Sequence, residues 1–388
     1  MSMNDPLNTL LQSGVEQGQV FGVAAAVTDR DGVLYEGAFG ERALGGGVSM
    51  TTDTVGWIAS MTKAITGAAI MQLVEQNRLD LDAPASQWAP YLGEVQVLDG
   101  FDDSGAPVLR APKTPITLRH LLTHSAGFGY ANWNEDLKRY SDHVELPLAN
   151  TGDIRGLMTP LVFDPGERWL YSISIDWAGK ILEKVTGQSL GAYFDKNIFQ
   201  PLGMTSSGFK ISPDMRARMA KVHRRQDGGL VVTDTELKQD PPSELGGGGL
   251  YSTVEDYLKF VRMILNEGQG DENRILAVET VRAMSKNQMG DCRVCMLPTT
   301  NPGVTLDAEF FPGLEKTWGL TFMINNETAP TGRSANSLAW AGLANSYYWI
   351  DPTKGVAGVY LTQILPFVDE QALSLYLDFE TAVYDNLS

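Results

Sequence analysis

Hydrophobic and polar positions divide the chain into three stretches. The first starts with Asn4-Asp5-Pro6, followed by Leu7, Leu10, Leu11 and Val15 at helical spacing, which predicts an N-terminal helix. Apolar-rich runs over 20–27 and 33–39 flank Asp29-Arg-Asp-Gly32, the pattern of a β-hairpin. After it, Ala64, Ile65, Ala68, Ala69, Ile70, Met71, Leu73 and Val74 are apolar almost all the way round a helix that ends near Asn77. A helix without a polar face is expected to be buried.

The middle stretch is polar and turn-rich over 93–115, which predicts a surface excursion, and then turns helical. Thr117 caps a short helix running to His124, and apolar helical patterns follow over 175–186 and 190–198. Short strands are expected at 222–223 and 230–232. The four glycines Gly246 to Gly249 precede a helix over 254–266 with Thr253 at its cap. The last stretch reads as strands over 317–325 and 337–340, then a hairpin of 346–350 and 356–362 around Asp351-Pro-Thr-Lys-Gly355. An amphipathic helix over 370–384 closes the chain.

Together these elements predict an α+β fold. Residues 1–78 and 245–388 would form one antiparallel sheet flanked by helices, and a mostly helical unit of 79–244 would be inserted in it. A small-molecule pocket is expected between the two.

Length and charge narrow the function. A chain of 388 residues is long enough for sizeable cores. A formal charge of −17 argues against a nucleic-acid partner, which calls for a basic footprint. No run is long enough for a membrane span, and the N-terminus lacks a basic region followed by an apolar one, so a cytoplasmic location is expected. Cys292 and Cys295 have no second cysteine pair or suitably spaced histidines, and read as free thiols rather than a metal site. The glycine run lacks the lysine of a phosphate-binding loop. No cofactor or metal is implied, and no motif specifies an oligomeric state.

Candidate chemistry lies at the start of the buried helix, in Ser60-Met-Thr-Lys63. Positions i and i+3 share a helix face, so the hydroxyl and the amine would meet one turn apart. A lysine at the edge of an apolar helix either snorkels to solvent or serves as a base for the serine. Gly187-Gln-Ser189-Leu-Gly191 matches a nucleophile elbow, but that motif needs a strand running into a helix. Here it lies between two helical patterns, so Gly187 and Ser189 read as caps. His124, at a helix C-terminus, reads as a structural hydrogen-bonder before it reads as a base.

Three motifs then fall in order: Ser60-Met-Thr-Lys63, Tyr171-Ser-Ile173 and Trp340-Ala-Gly342. With Leu121-Leu-Thr-His-Ser-Ala-Gly127, Phe163-Asp-Pro-Gly166, the segment 246–253 and Tyr348-Trp-Ile-Asp-Pro352, the chain resembles the serine β-lactamase-like, penicillin-recognising superfamily. Within it, the chain is most similar to the class C-like carboxylesterases called family VIII. The resemblance implies that Ser60 is the acylated nucleophile, that Lys63 and Tyr171 carry its proton, and that the backbone amides of Ser60 and Leu343 form the oxyanion hole. It leaves open whether Lys63 or Tyr171 is the primary base.

Two departures bear on the substrate. Lactam-processing relatives usually end the second motif in Asn and begin the third with Lys or His. Here Ile173 has no polar group and Trp340 offers only an indole N–H. The losses favour a small-molecule ester over a charged β-lactam. Acyl transfer to another acceptor is the alternative, and a cleft that only binds ligand is a third reading. Arg333 is the candidate replacement cation and would keep weak β-lactam hydrolysis within reach. Trp340, Ala341, Gly342, Phe128, Tyr130, Trp318, Trp57 and Trp133 are the expected pocket residues.

Overall fold

The computed structural model describes residues 3–387; Met1 and Ser2, where the N-terminal reading began, lie outside them. Its centre is a seven-stranded sheet of β1 (Gly22–Thr28), β2 (Val33–Gly40), β3 (Lys316–Trp318), β4 (Met323–Asn325), β5 (Ser337–Gly342), β6 (Ser346–Asp351) and β7 (Val356–Leu361). The strand order is β2-β1-β7-β6-β5-β4-β3, with every neighbouring pair antiparallel. The two ends of the chain therefore share one sheet, closed where Ala24 of β1 pairs with Leu361 of β7.

Among the described residues, five helices reach twelve residues: α1 (Asn4–Glu16), α2 (Thr62–Glu75), α3 (Ser174–Thr186), α4 (Val254–Leu265) and α5 (Glu370–Asp385). Successive strand residues point to opposite faces of the sheet. Tyr347 stacks on Tyr376 of α5 at 4.2 Å, and its neighbour Tyr348 meets Tyr257 of α4 at 5.3 Å. The sheet is thus covered on both faces, so β1, β5, β6 and β7 are buried at every position instead of alternately. α1 packs beside α5 and β2.

α2 lies at the centre of the molecule, as its lack of a polar face requires. Twelve of its fourteen residues, from Thr62 to Leu73, are buried, and it packs against α3. The helical region also holds the short helix Leu118–Leu122, where Thr117 and His120 form a reciprocal cap. The predicted helix over 190–198 is α-helical only over Leu190–Phe194 and continues as a π-turn over Asp195–Phe199.

Two expectations change. The strand expected over 317–325 is broken into β3 and β4, which pair with each other. Gly319 sits where any Cβ would lie 2.0 Å from the Met284 carbonyl oxygen, and Thr321 takes φ +77, so the chain folds back between them. The polar excursion over 93–115 carries a hairpin, Val97–Phe101 with Pro107–Arg110. Its turn is held by the Asp102 carboxylate, which accepts the N–H groups of Ser104 and Ala106. No helix among the described residues is long and apolar enough to cross a membrane.

Candidate active site

The 3₁₀ turn Ala59–Met61 delivers the chain into α2 and presents Ser60. Ala59 takes φ +45, a conformation that costs a non-glycine residue on the order of 1–3 kcal/mol and must be held by its surroundings. The end of β5 supplies that support. A Cβ on Gly342 would lie 2.4 Å from the Ile58 carbonyl oxygen, so only glycine lets strand and turn meet backbone to backbone. Leu343 follows directly, one residue past the last paired position of β5. Ser60 and Leu343 both face the same cavity.

One helical turn on, Lys63 is fully buried. Its Nζ lies 3.2 Å from Ser60 Oγ, 3.1 Å from the Tyr130 hydroxyl and 2.6 Å from the Gly247 carbonyl oxygen. The Gly247 contact belongs to a row of three. The carbonyls of Gly246, Gly247 and Gly248 accept in turn from Thr66 Oγ1 (2.7 Å), Lys63 Nζ and Trp57 Nε1 (2.8 Å). The glycine run is therefore a strip of backbone acceptors laid along the start of α2.

Tyr171 faces the same cavity as Ser60, whose hydroxyl opposes the upward push of burial on the phenol. Trp340 Nε1 donates to the Tyr171 hydroxyl at 2.9 Å. The Tyr171 ring is clamped by Trp340 (4.7 Å), His124 (4.8 Å), Tyr130 (5.5 Å) and Trp133 (5.6 Å). His124 is buried and hydrogen-bonds through Nδ1 to both the hydroxyl and the N–H of Ser172, fixing the residue next to Tyr171. It is a structural hydrogen-bonder.

Burial separates the titrating groups. It pushes the Lys63 amine down to about 7, against an opposing pull from the Asp176 carboxylate. It pushes the Tyr171 and Tyr130 phenols up, in Tyr171 against the opposing influence of the Ser60 hydroxyl and the Trp340 N–H. It holds His124 neutral, helped by the Lys63 charge. Near neutral pH the Lys63 amine is divided between its charged and free-base forms.

Above Ser60 opens a cavity of about 270 Å³ with largely apolar walls, among them Trp57, Trp133, Leu146, Ile173 and Leu245. Ser60, Tyr130, Tyr171 and Leu343 face it as expected from the sequence. Trp57 and Trp133 line it as expected too, whereas Phe128, Trp318, Trp340, Ala341, Gly342 and Arg333 do not. Phe128 and Trp318 are wholly buried, and Trp318 packs on Trp340 at 4.7 Å beneath Tyr171. Trp340 and Ala341 are likewise buried, and Gly342 contacts the Ile58 backbone. Arg333 is no pocket cation: its Nε donates to Glu380 of α5 at 3.0 Å in a buried pair. Ser189 is exposed and caps the helix Leu190–Phe194, with Gly187 in the left-handed conformation ending α3.

The sequence reading missed three features of this cluster. Tyr130 was expected as a wall and is also a partner of Lys63. The Gly247 carbonyl and Asp176 were not anticipated, although the glycine run and an acid five residues after Tyr171 were visible. Cys292 and Cys295 are free thiols. Among the described residues, no group of three or more His, Cys, Asp or Glu side chains is arranged to hold a metal ion.

Comparison with known proteins agrees with this architecture. The Beta-lactamase family model matches residues 7–382, and the chain belongs to that family. It is 30% identical to ML-236A carboxylate methylbutanoyltransferase of Penicillium citrinum, over 99% of this chain and 95% of that protein. It is also 30% identical to lovastatin esterase of Penicillium rubens, over 98% of each. Among solved structures, unliganded simvastatin synthase from Aspergillus terreus superposes with a TM-score of 0.85 at 30% identity, covering 99% of this chain and 98% of that one. The relatives of this chain thus include both acyltransferases and an esterase of the same fold.

Proposed function

We propose that this protein is a serine esterase acting through a Ser60 acyl-enzyme on small, apolar esters. The reading rests on Lys63, whose amine lies within hydrogen-bond reach of Ser60 Oγ and is brought by burial to a proton affinity suited to neutral pH. Ser60 Oγ attacks the ester carbonyl carbon while its proton passes to Lys63 Nζ. The tetrahedral oxyanion forms against the N–H groups of Ser60 and Leu343. As the carbon–oxygen bond to the alcohol breaks, the proton returns to the departing oxygen, with the neutral Tyr171 hydroxyl at hand beside Ser60. Water then repeats the sequence on the acyl-enzyme, releasing the acid and restoring Ser60. Ile173 in the wall supports an ester over a β-lactam, because it offers no hydrogen bond to a lactam side-chain amide.

A second reading, transfer of the acyl group to an alcohol, is favoured by the methylbutanoyltransferase among the relatives. Both readings share the acyl-enzyme and differ only in the acceptor. Ser60→Ala is expected to abolish turnover of p-nitrophenyl butyrate, while Ser189→Ala retains it; the opposite result would move the nucleophile to Ser189. The product ratio of acid to new ester, measured with an added alcohol, decides between the acceptors.

A further inference from the structure

Lys63 poses a problem that Ser60, Tyr130 and Gly247 do not solve. It is fully buried, its three hydrogen-bond partners are neutral oxygens, and among the described residues it makes no direct ion pair. A buried ammonium without a counter-charge is costly. A lysine that lost its proton permanently could not return one to a leaving alcohol. Something must keep both forms within reach.

The geometry points to Asp176 as the positioning residue for Lys63, holding the Gly247 peptide that anchors the amine and supplying the negative charge that offsets its burial. Asp176 lies in the first turn of α3, five residues after Tyr171, and is 4% exposed. Its Oδ1 accepts the Gly247 N–H at 2.8 Å, and the carbonyl of that same residue accepts Lys63 Nζ at 2.6 Å. The fit is close: a Cβ on Gly247 would lie 2.4 Å from Asp176 Oδ2. Asp176 also faces the cavity. Around Lys63 stand the Ser60 hydroxyl, the Tyr130 and Tyr171 phenols pushed up by burial, and His124 pushed down by it. Asp176 is the carboxylate whose field reaches the amine, its own carboxyl pushed up by burial against the pull of Lys63 and the Gly247 N–H. The nearest further cation on α3, Lys180, is paired with Glu183 at 2.6 Å. One short segment, 171–176, thus carries both the tyrosine beside Ser60 and the charge that poises Lys63.

This role rests on the Ser60–Lys63 reading, and the test separates the two. The rate of Ser60 labelling by a fluorophosphonate is measured from pH 5 to 9 for the wild type, Asp176→Asn and Gly247→Ala, with folding checked by circular dichroism. Asparagine keeps an acceptor for the Gly247 N–H and removes the charge. The acid limb of the profile is expected to move down by about one pH unit, as befits loss of an opposite charge near a buried amine. Gly247→Ala pushes into the carboxylate and is expected to slow labelling at least tenfold, and it decides the matter if Asp176→Asn does not fold. An unmoved limb in Asp176→Asn, or wild-type labelling in Gly247→Ala, overturns the role. A wild type that is not labelled at any pH overturns the Ser60 reading itself, and this role with it.

Discussion

Among the side chains at the site, Lys63 is the one whose protonation matters most near neutral pH. In the proposed mechanism it is the free amine that accepts the Ser60 proton, and burial brings it to about 7. The esterase rate is therefore expected to rise with pH through that region and level off above it, since raising the pH converts ammonium to amine. The Tyr171 and Tyr130 phenols, pushed up by burial, contribute no second rise below the alkaline range. Lys63→Arg fixes a cation at the same point and is expected to lower kcat/KM by at least about a hundredfold, the usual scale for losing a positioned base. A pH–rate profile of p-nitrophenyl butyrate hydrolysis for both proteins checks the sign and the size. A profile flat from pH 5 to 9 would remove Lys63 from the role of base.

At the scale of elements, the site depends on backbone segments distant in sequence meeting without side chains between them. The 3₁₀ turn at Ser60, the end of β5 at Gly342 and the strip at Gly246–Gly248 are such segments. Gly342→Ala would bring a Cβ to 2.4 Å from the Ile58 carbonyl, forcing the turn away from the strand. A loss of stability of about 1–3 kcal/mol, typical of overpacking, is expected, with a fall in kcat of more than about tenfold as Ser60 and Leu343 separate. Thermal unfolding read beside kcat tests both parts; wild-type kcat would mean that the approach is not needed. The same contacts mark the limit of what could be read from sequence. That Ser60 meets Lys63 and shares a cavity with Tyr171 was legible because each lies in a short local motif, and the sheet because its strands alternate with clear turns. The partners of Lys63 were not, since Tyr130 and Gly247 lie 67 and 184 residues away in the chain. Trp318 and Phe128 were misplaced for a related reason. An aromatic side chain suits a cavity wall and a core equally well, and only packing decides which it joins. The broken strand at Gly319 depended on the Met284 carbonyl, again a contact with no local trace.

At the scale of the whole molecule, charge and cavity act together on the choice of substrate. The chain carries a formal charge of −17, so an anionic ester approaches against the field of the protein. Inside, the wall is apolar, Arg333 is committed to Glu380, and Asp176 faces the cavity. An acyl group ending in a carboxylate would therefore lose its water without gaining a cationic partner, while a methyl-ended group of similar length loses little. Each buried methylene is worth about 0.8 kcal/mol, so rates on neutral esters should climb about fourfold per added carbon until the cavity is full. A matched pair isolates the charge. kcat/KM for the p-nitrophenyl hemisuccinate anion is expected to fall at least about tenfold below that for p-nitrophenyl butyrate, from desolvation and repulsion together. The long-range part of the gap should shrink as salt is raised, because exposed charges are screened beyond about 8 Å at 0.15 M ionic strength. The part set inside the cavity should persist. Equal rates on the two esters would mean that the acyl chain projects into solvent, and the cavity above Ser60 would then hold the alcohol instead.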